Sequence, residues 1–124
     1  MLGSEQPKIL RMLTIDQITD LMDIFYDEAP YDYVLVVEKR RRKHFLGSCE
    51  YTKKMCYIYG PDDYYQALDV ILHEIAHARI QHRTHSDVWE KEFVRLLTKY
   101  KFPRHLAGRD SIIGPNVRKY IEGV

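Results

Sequence analysis

The stretch His73-Glu74-Ile75-Ala76-His77 is an HExxH sequence set in the longer run Val70-Ile71-Leu72 to Ala78. Two histidines four apart lie on one face of a helix, about one turn from each other, so both imidazoles can reach one ion. Glu74 projects beside that face, where its carboxylate can act on a water activated by the ion. Such a pattern predicts a hydrolytic Zn²⁺ site. The ion lowers the pKa of its water to about 7 and Glu74 serves as general base.

Working outward, periodicity predicts a helix over residues 63–81, started by Gly60-Pro61-Asp62. Leu68, Ile71, Leu72, Ile75 and Ala78 cover its core side, with Gln66, Val70, His73 and His77 roughly opposite and Glu74 at the flank. Upstream, Tyr33 to Val37 reads as a first strand, His44 to Tyr51 as a second and Met55 to Tyr59 as a third. The cationic run Lys39-Arg40-Arg41-Arg42-Lys43 reads as a hairpin connection, and Thr52-Lys53-Lys54 as a tight turn. Earlier still, Thr14 and Gln17 have capping-box spacing. They open a helix whose core face is Ile15, Ile18, Leu21, Met22 and Phe25, ended by Ala29-Pro30.

Downstream of the motif, the polar turn Gln81 to His85 precedes a helix capped by Ser86, with Trp89, Phe93, Leu96, Leu97 and Tyr100 as its buried face. After Pro103 the chain reads as irregular, with a short helix near Val117 to Ile121. A chain of 124 residues holds one core. The expectation is therefore a single domain over 1–124, with a loose lead-in at 1–13 and an irregular segment at 102–124. Apolar content of 45 % beside 30 % charged residues describes a globular domain and not a disordered one. A net charge of +1 exerts no global pull on nucleic acid or anionic membrane. With no signal peptide and no apolar run near ~20 residues, the sequence predicts a cytoplasmic protein without membrane contact.

Catalytic zinc usually has three protein ligands and one open position. His82, His85, Asp87, Glu90 and Glu92 are the candidates for the third. Position 82 lies just past the helix end, too near for the chain to turn back. The gap from His77 to His85 is long enough for a reversal, which favours His85; Glu90 and Glu92 stay open as alternatives.

Leu46-Gly47-Ser48-Cys49, the strand Cys56-Tyr57-Ile58-Tyr59, the motif run 70–78 and His85-Ser86-Asp87-Val88-Trp89 together resemble the small SprT-like metalloproteases and their WLM and YgjP-type relatives. The likeness covers roughly residues 44–93, in the family's order. It implies an α+β minimal zincin: an N-terminal helix, a three-stranded, mostly antiparallel sheet, an HExxH metal helix and a following helix. It also implies His73, His77 and His85 as zinc ligands, Glu74 as the catalytic residue and Trp89 packed beneath the metal. The spacing from 77 to 85 departs from many SprT relatives, and the cysteine ribbon that follows many of those domains is missing.

The function expected is zinc-dependent peptide-bond hydrolysis on a protein or peptide substrate. The alternative is a non-catalytic zinc-containing module, regulatory or associated with nucleic acid, that keeps the HExxH site. Lys39 to Lys43 is the candidate phosphate contact, although such a run is more often a solvated loop. Cys49 and Cys56 would face each other across the 52–53 turn, as two half-buried thiols in preference to a disulfide. Tyr57 and Tyr59 are placed at the cleft, on the reasoning that the last strand before a metal helix is an edge. Tyr120, Arg109 and Tyr100 are the candidates for a second oxyanion donor.

Overall fold

A computed structural model of the chain describes residues 13–108 and 114–123. The fold is α+β. Among the described residues, four α-helices accompany a three-stranded mixed sheet, in the order α1 (Ile15–Glu28), β1 (Val34–Glu38), β2 (Gly47–Glu50), β3 (Met55–Tyr59), α2 (Tyr64–Ile80), α3 (Asp87–Lys99) and α4 (Pro115–Glu122). A 3₁₀ turn, Arg104–Leu106, lies between the last two. None of these helices is long and apolar enough to cross a membrane. Arg109 and most of the expected lead-in fall outside the described residues.

Helix α1 starts as its sequence demands. The Thr14 hydroxyl accepts from the Gln17 backbone N–H at 3.0 Å, and the Gln17 side chain accepts from the Thr14 N–H at 3.0 Å. Its buried residues are Leu21, Ile24, Phe25 and Glu28, whereas Ile15 is 81 % and Met22 38 % exposed. Ile15 sits in the first turn, ahead of the part of the helix that packs on α2, so its helical spacing buries nothing.

Burial of Glu28 alone would raise its pKa. Hydrogen bonds from Lys99 and Tyr100, with the charges of Lys99 and Arg95, outweigh it and hold the carboxyl below its ordinary value of 4.5. A lowered folded-state pKa means that this anchor stabilises the fold above the unfolded carboxyl's value and fades as pH falls through the folded one. Glu28→Gln is expected to cost about 1–3 kcal/mol at neutral pH. Its loss of stability on acidification should be shallower than the wild type's, as read from denaturant midpoints on either side of pH 4.5.

The sheet differs from the sequence reading in one instructive way. Its order is β1-β3-β2, with β2 antiparallel to β3 but β1 parallel to it, in register from Val34 opposite Met55 to Glu38 opposite Tyr59. The run 39–43 is therefore no hairpin turn; it is part of a crossover carrying the chain from one edge to the other. A parallel pair needs about a dozen or more linking residues, and 39–54 supply them. β3 takes the centre because Cys56, Ile58 and Tyr59 are its buried residues, and a strand paired on both sides hides the most apolar side chains. β2 is shorter than the expected 44–51.

Helix α2 runs through the middle, touching β2 and β3, α1 and α3. Asp63 caps its start by accepting from the Gln66 N–H at 2.8 Å, and every residue from Ala67 to Ala78 is buried. Full burial of each Leu, Ile or Val side chain is worth about 1.5–3 kcal/mol, which fixes the helix in place. Helix α3 is capped by Ser86 and buries Trp89, Glu90, Phe93, Leu96 and Leu97. Glu90 turns back to accept from Asn116 N–H, Asn116 Nδ2 and Val117 N–H, tying down α4, which starts at Pro115, two residues before the expected start.

Candidate metal centre

Position 81 decides the geometry of the site. Gln81 ends α2 in the left-handed region, at φ 64°, and its side-chain amide donates to Ala78 O at 2.6 Å and Tyr33 Oη at 2.9 Å. The chain turns back at once, so four residues bring His85 over the face that carries His73 and His77. The nitrogens these three imidazoles offer all lie within 4.8 Å of one another. His73 Nε2 and His85 Nε2 are 3.1 Å apart. Ligands held tetrahedrally at ~2.0–2.1 Å from one ion sit about 3.3 Å apart, so this pair needs little movement to share one.

Two of the three rings are in the form that binds metal. Burial, then the neighbouring His77 and His85, keeps the His73 pKa well below 6.5. Burial takes His77 down to about 4, against the opposing hydrogen bond to the His82 carbonyl. Both are neutral imidazoles near pH 7, with a lone pair to give. His77 Nδ1–H donates to His82 O at 2.6 Å, which fixes the tautomer and leaves Nε2 as the ring's lone-pair nitrogen. A metal ion fits this donor set.

Beneath the rings lies Trp89, with centroids 4.7, 5.0 and 4.4 Å from His73, His77 and His85, and its indole N–H donates to His73 O at 3.4 Å. The other candidate ligands are placed elsewhere. Glu90 caps α4, Glu92 pairs with Arg79 and Arg95, Asp87 pairs with Lys91 and Asn116, and His82 Nδ1 bonds Ser86.

Glu74 and the three histidines line a cavity of about 400 Å³, whose far wall is β2 with Tyr51 and Arg83. Glu74 Oε2 lies 4.0 Å from His73 Nε2. Gly47 makes that approach fit. A Cβ there would lie 2.5 Å from Val70 Cγ1, 2.9 Å from Tyr57 O and 3.0 Å from Glu74 Oε2. Gly47→Ala is therefore expected to destabilise by about 1–3 kcal/mol through overpacking against Val70 and Glu74. Thermal melts check this.

Two expectations about the wall fail. Because β3 is central, Tyr57 and Tyr59 are not at the cavity; β2 is the edge beside it. Tyr120 donates to Leu97 O and Phe102 O, and Tyr100 donates to Glu28, so neither faces the site. Sequence reasoning missed Tyr51 and Arg83. Burial, then Cys49, pushes the Tyr51 hydroxyl up to about 12, so it stays a donor, and the Arg83 guanidinium lies 5.0 Å from its ring. The only signal was position: Tyr51 closes the strand-like run 44–51 and Arg83 stands in the turn before His85.

The chain matches no family model, no curated protein and no solved structure.

Proposed function

We propose that the protein is a zinc-dependent peptidase, with His73, His77 and His85 holding the ion and Glu74 as the catalytic residue. The observation that carries this reading is the convergence of three imidazoles and one carboxylate on a single open cavity. Three nitrogen ligands with room for a fourth suit catalytic zinc better than a closed structural site. Bound there, zinc supplies Lewis acidity, polarising a peptide carbonyl and making water a nucleophile at neutral pH. Glu74 Oε2 takes the proton from the attacking water and delivers it to the leaving nitrogen. Tyr51 and Arg83 offer donors to the negative charge that develops on the carbonyl oxygen. The outer edge of β2 offers backbone groups to an extended substrate, which would lie along the cavity as an added strand.

The test is hydrolysis of an unstructured protein by the purified chain, with its metal content measured in parallel. One zinc per chain is expected, with activity lost on chelation and restored by added zinc. Cleavage that ignores the chelator overturns the reading. A full complement of zinc without cleavage of any protein or peptide leaves a zinc-containing binding module.

A nucleic-acid-guided variant has one observation in its favour. The basic run leads directly into His44 and Phe45 at the cavity rim. Arg41 pairs with Asp62, and Arg42 reaches Glu38 and the Tyr59 ring, while Lys39, Arg40 and Lys43 are exposed. Stimulation of cleavage by DNA, abolished by salt, would support it.

A further inference from the structure

The cavity wall holds a second reactive group that peptide hydrolysis does not use. Cys49 on β2 lies directly opposite Cys56 on β3, and their sulfurs are 3.6 Å apart. The Tyr59 N–H donates to Leu46 O, which makes 46 and 59 a hydrogen-bonded pair. Antiparallel pairs alternate, so 49 and 56 form a narrow, non-hydrogen-bonded pair whose Cα atoms are about 4.5 Å apart. That separation falls within the ~4.4–6.8 Å span of disulfides. The two thiols differ sharply in access. Cys49 is half-buried and faces the cavity, whereas Cys56 is fully buried, 3.8 Å from the carbonyl of Glu74.

We propose that Cys49 and Cys56 form a reversible disulfide site, reached from the metal cavity by a small peroxide, with Cys49 as the attacking and Cys56 as the resolving sulfur. The Cys49 sulfur attacks one peroxide oxygen, the O–O bond breaks, and the departing hydroxide takes up the thiol proton to become water. Cys49 is left as a sulfenic acid. The Cys56 sulfur then attacks it, the S–O bond breaks, and a second water leaves with the Cys56 proton. The sulfurs have lost two electrons and the peroxide has gained them.

The environment supports this order. The hydrogen bond from Cys56 lowers the Cys49 pKa and Arg83 adds to that, against the opposing effect of burial. Cys56 is shifted well upward by its bond to Cys49 and by burial. The bond joins the strand that walls the cavity to the strand that touches the Glu74 backbone, so oxidation acts at the catalytic helix itself.

The test needs no hydrolysis and stands apart from the peptidase reading. Trypsin cuts after Lys43, Lys53, Lys54 and Arg79, so Cys49 and Cys56 fall in separate peptides, 44–53 and 55–79. After treatment of the full chain with hydrogen peroxide, these are expected as one linked species within single chains, separated again by dithiothreitol. In Cys56→Ser, Cys49 should accumulate as a sulfenic acid captured by dimedone. In Cys49→Ser, Cys56 should remain a thiol under the same exposure. Unlinked peptides from the oxidised wild type, linkage between chains, or faster oxidation of Cys56 than of Cys49 would each overturn the proposal.

Discussion

Glu74→Gln is expected to lower peptide hydrolysis by about 10²–10⁴ while leaving one zinc per chain. The amide keeps the shape of the carboxylate in a site where Glu74 is 5 % exposed, so the fold should tolerate it. What it lacks is basicity: no lone pair on the amide accepts a proton at neutral pH. The three imidazoles are untouched, so metal content should not change, and that separates a lost base from a lost site. Glu74→Asp should recover part of the rate, because the shorter carboxylate remains a base held farther from the cavity. Full activity in the glutamine variant would remove Glu74 from its assigned role.

Trp89→Ala is expected to cost about 3–5 kcal/mol, the usual range for emptying a buried aromatic position. Trp89 is 1 % exposed and stacks on Phe93 with centroids 5.2 Å apart. Against a typical domain stability of about 5–15 kcal/mol this loss is large, and a thermal melt should show it plainly. Its second effect is on the metal. The indole supports all three rings and donates to the backbone of His73, so the alanine variant should bind zinc about 10–100-fold more weakly even where it remains folded. Trp89→Phe keeps an aromatic ring under the histidines and loses the N–H with the rest of the indole, so zinc binding retained there would assign the effect to ring packing. A wild-type melting temperature in Trp89→Ala would contradict the packing account.

Helix α2 and its neighbours were legible because their signals are local. HExxH spacing, the caps at Thr14 and Ser86, and the apolar faces of α2 and α3 all act within a few residues. The favoured third ligand, His85, came from a length argument about chain reversal, and the reversal is there at Gln81. What could not be read was which strands pair. Three strand-like runs in sequence give no local sign that the third will lie between the other two. That outcome depends on burial of β3 by partners distant in the chain, and it moved Tyr57 and Tyr59 away from the cavity. The wall residues Tyr51 and Arg83 escaped notice for the same reason, since a strand end and a turn become neighbours only once the sheet and α2 are assembled. The facing of Cys49 and Cys56, by contrast, followed from counting outward from a tight turn.

The β1–β3 pairing also sets an order for assembly. The β2–β3 hairpin closes through a turn of a few residues, which takes microseconds, and α2 follows it directly. β1 must wait for residues 39–54 to be gathered before its ladder can form, a longer loop closure than the hairpin's. No residue of β1 lines the cavity, yet Tyr33, one position before that strand, holds the Gln81 amide at the turn that carries His85. Peeling the outermost strand away would therefore loosen that turn while leaving the Cys49–Cys56 ladder paired.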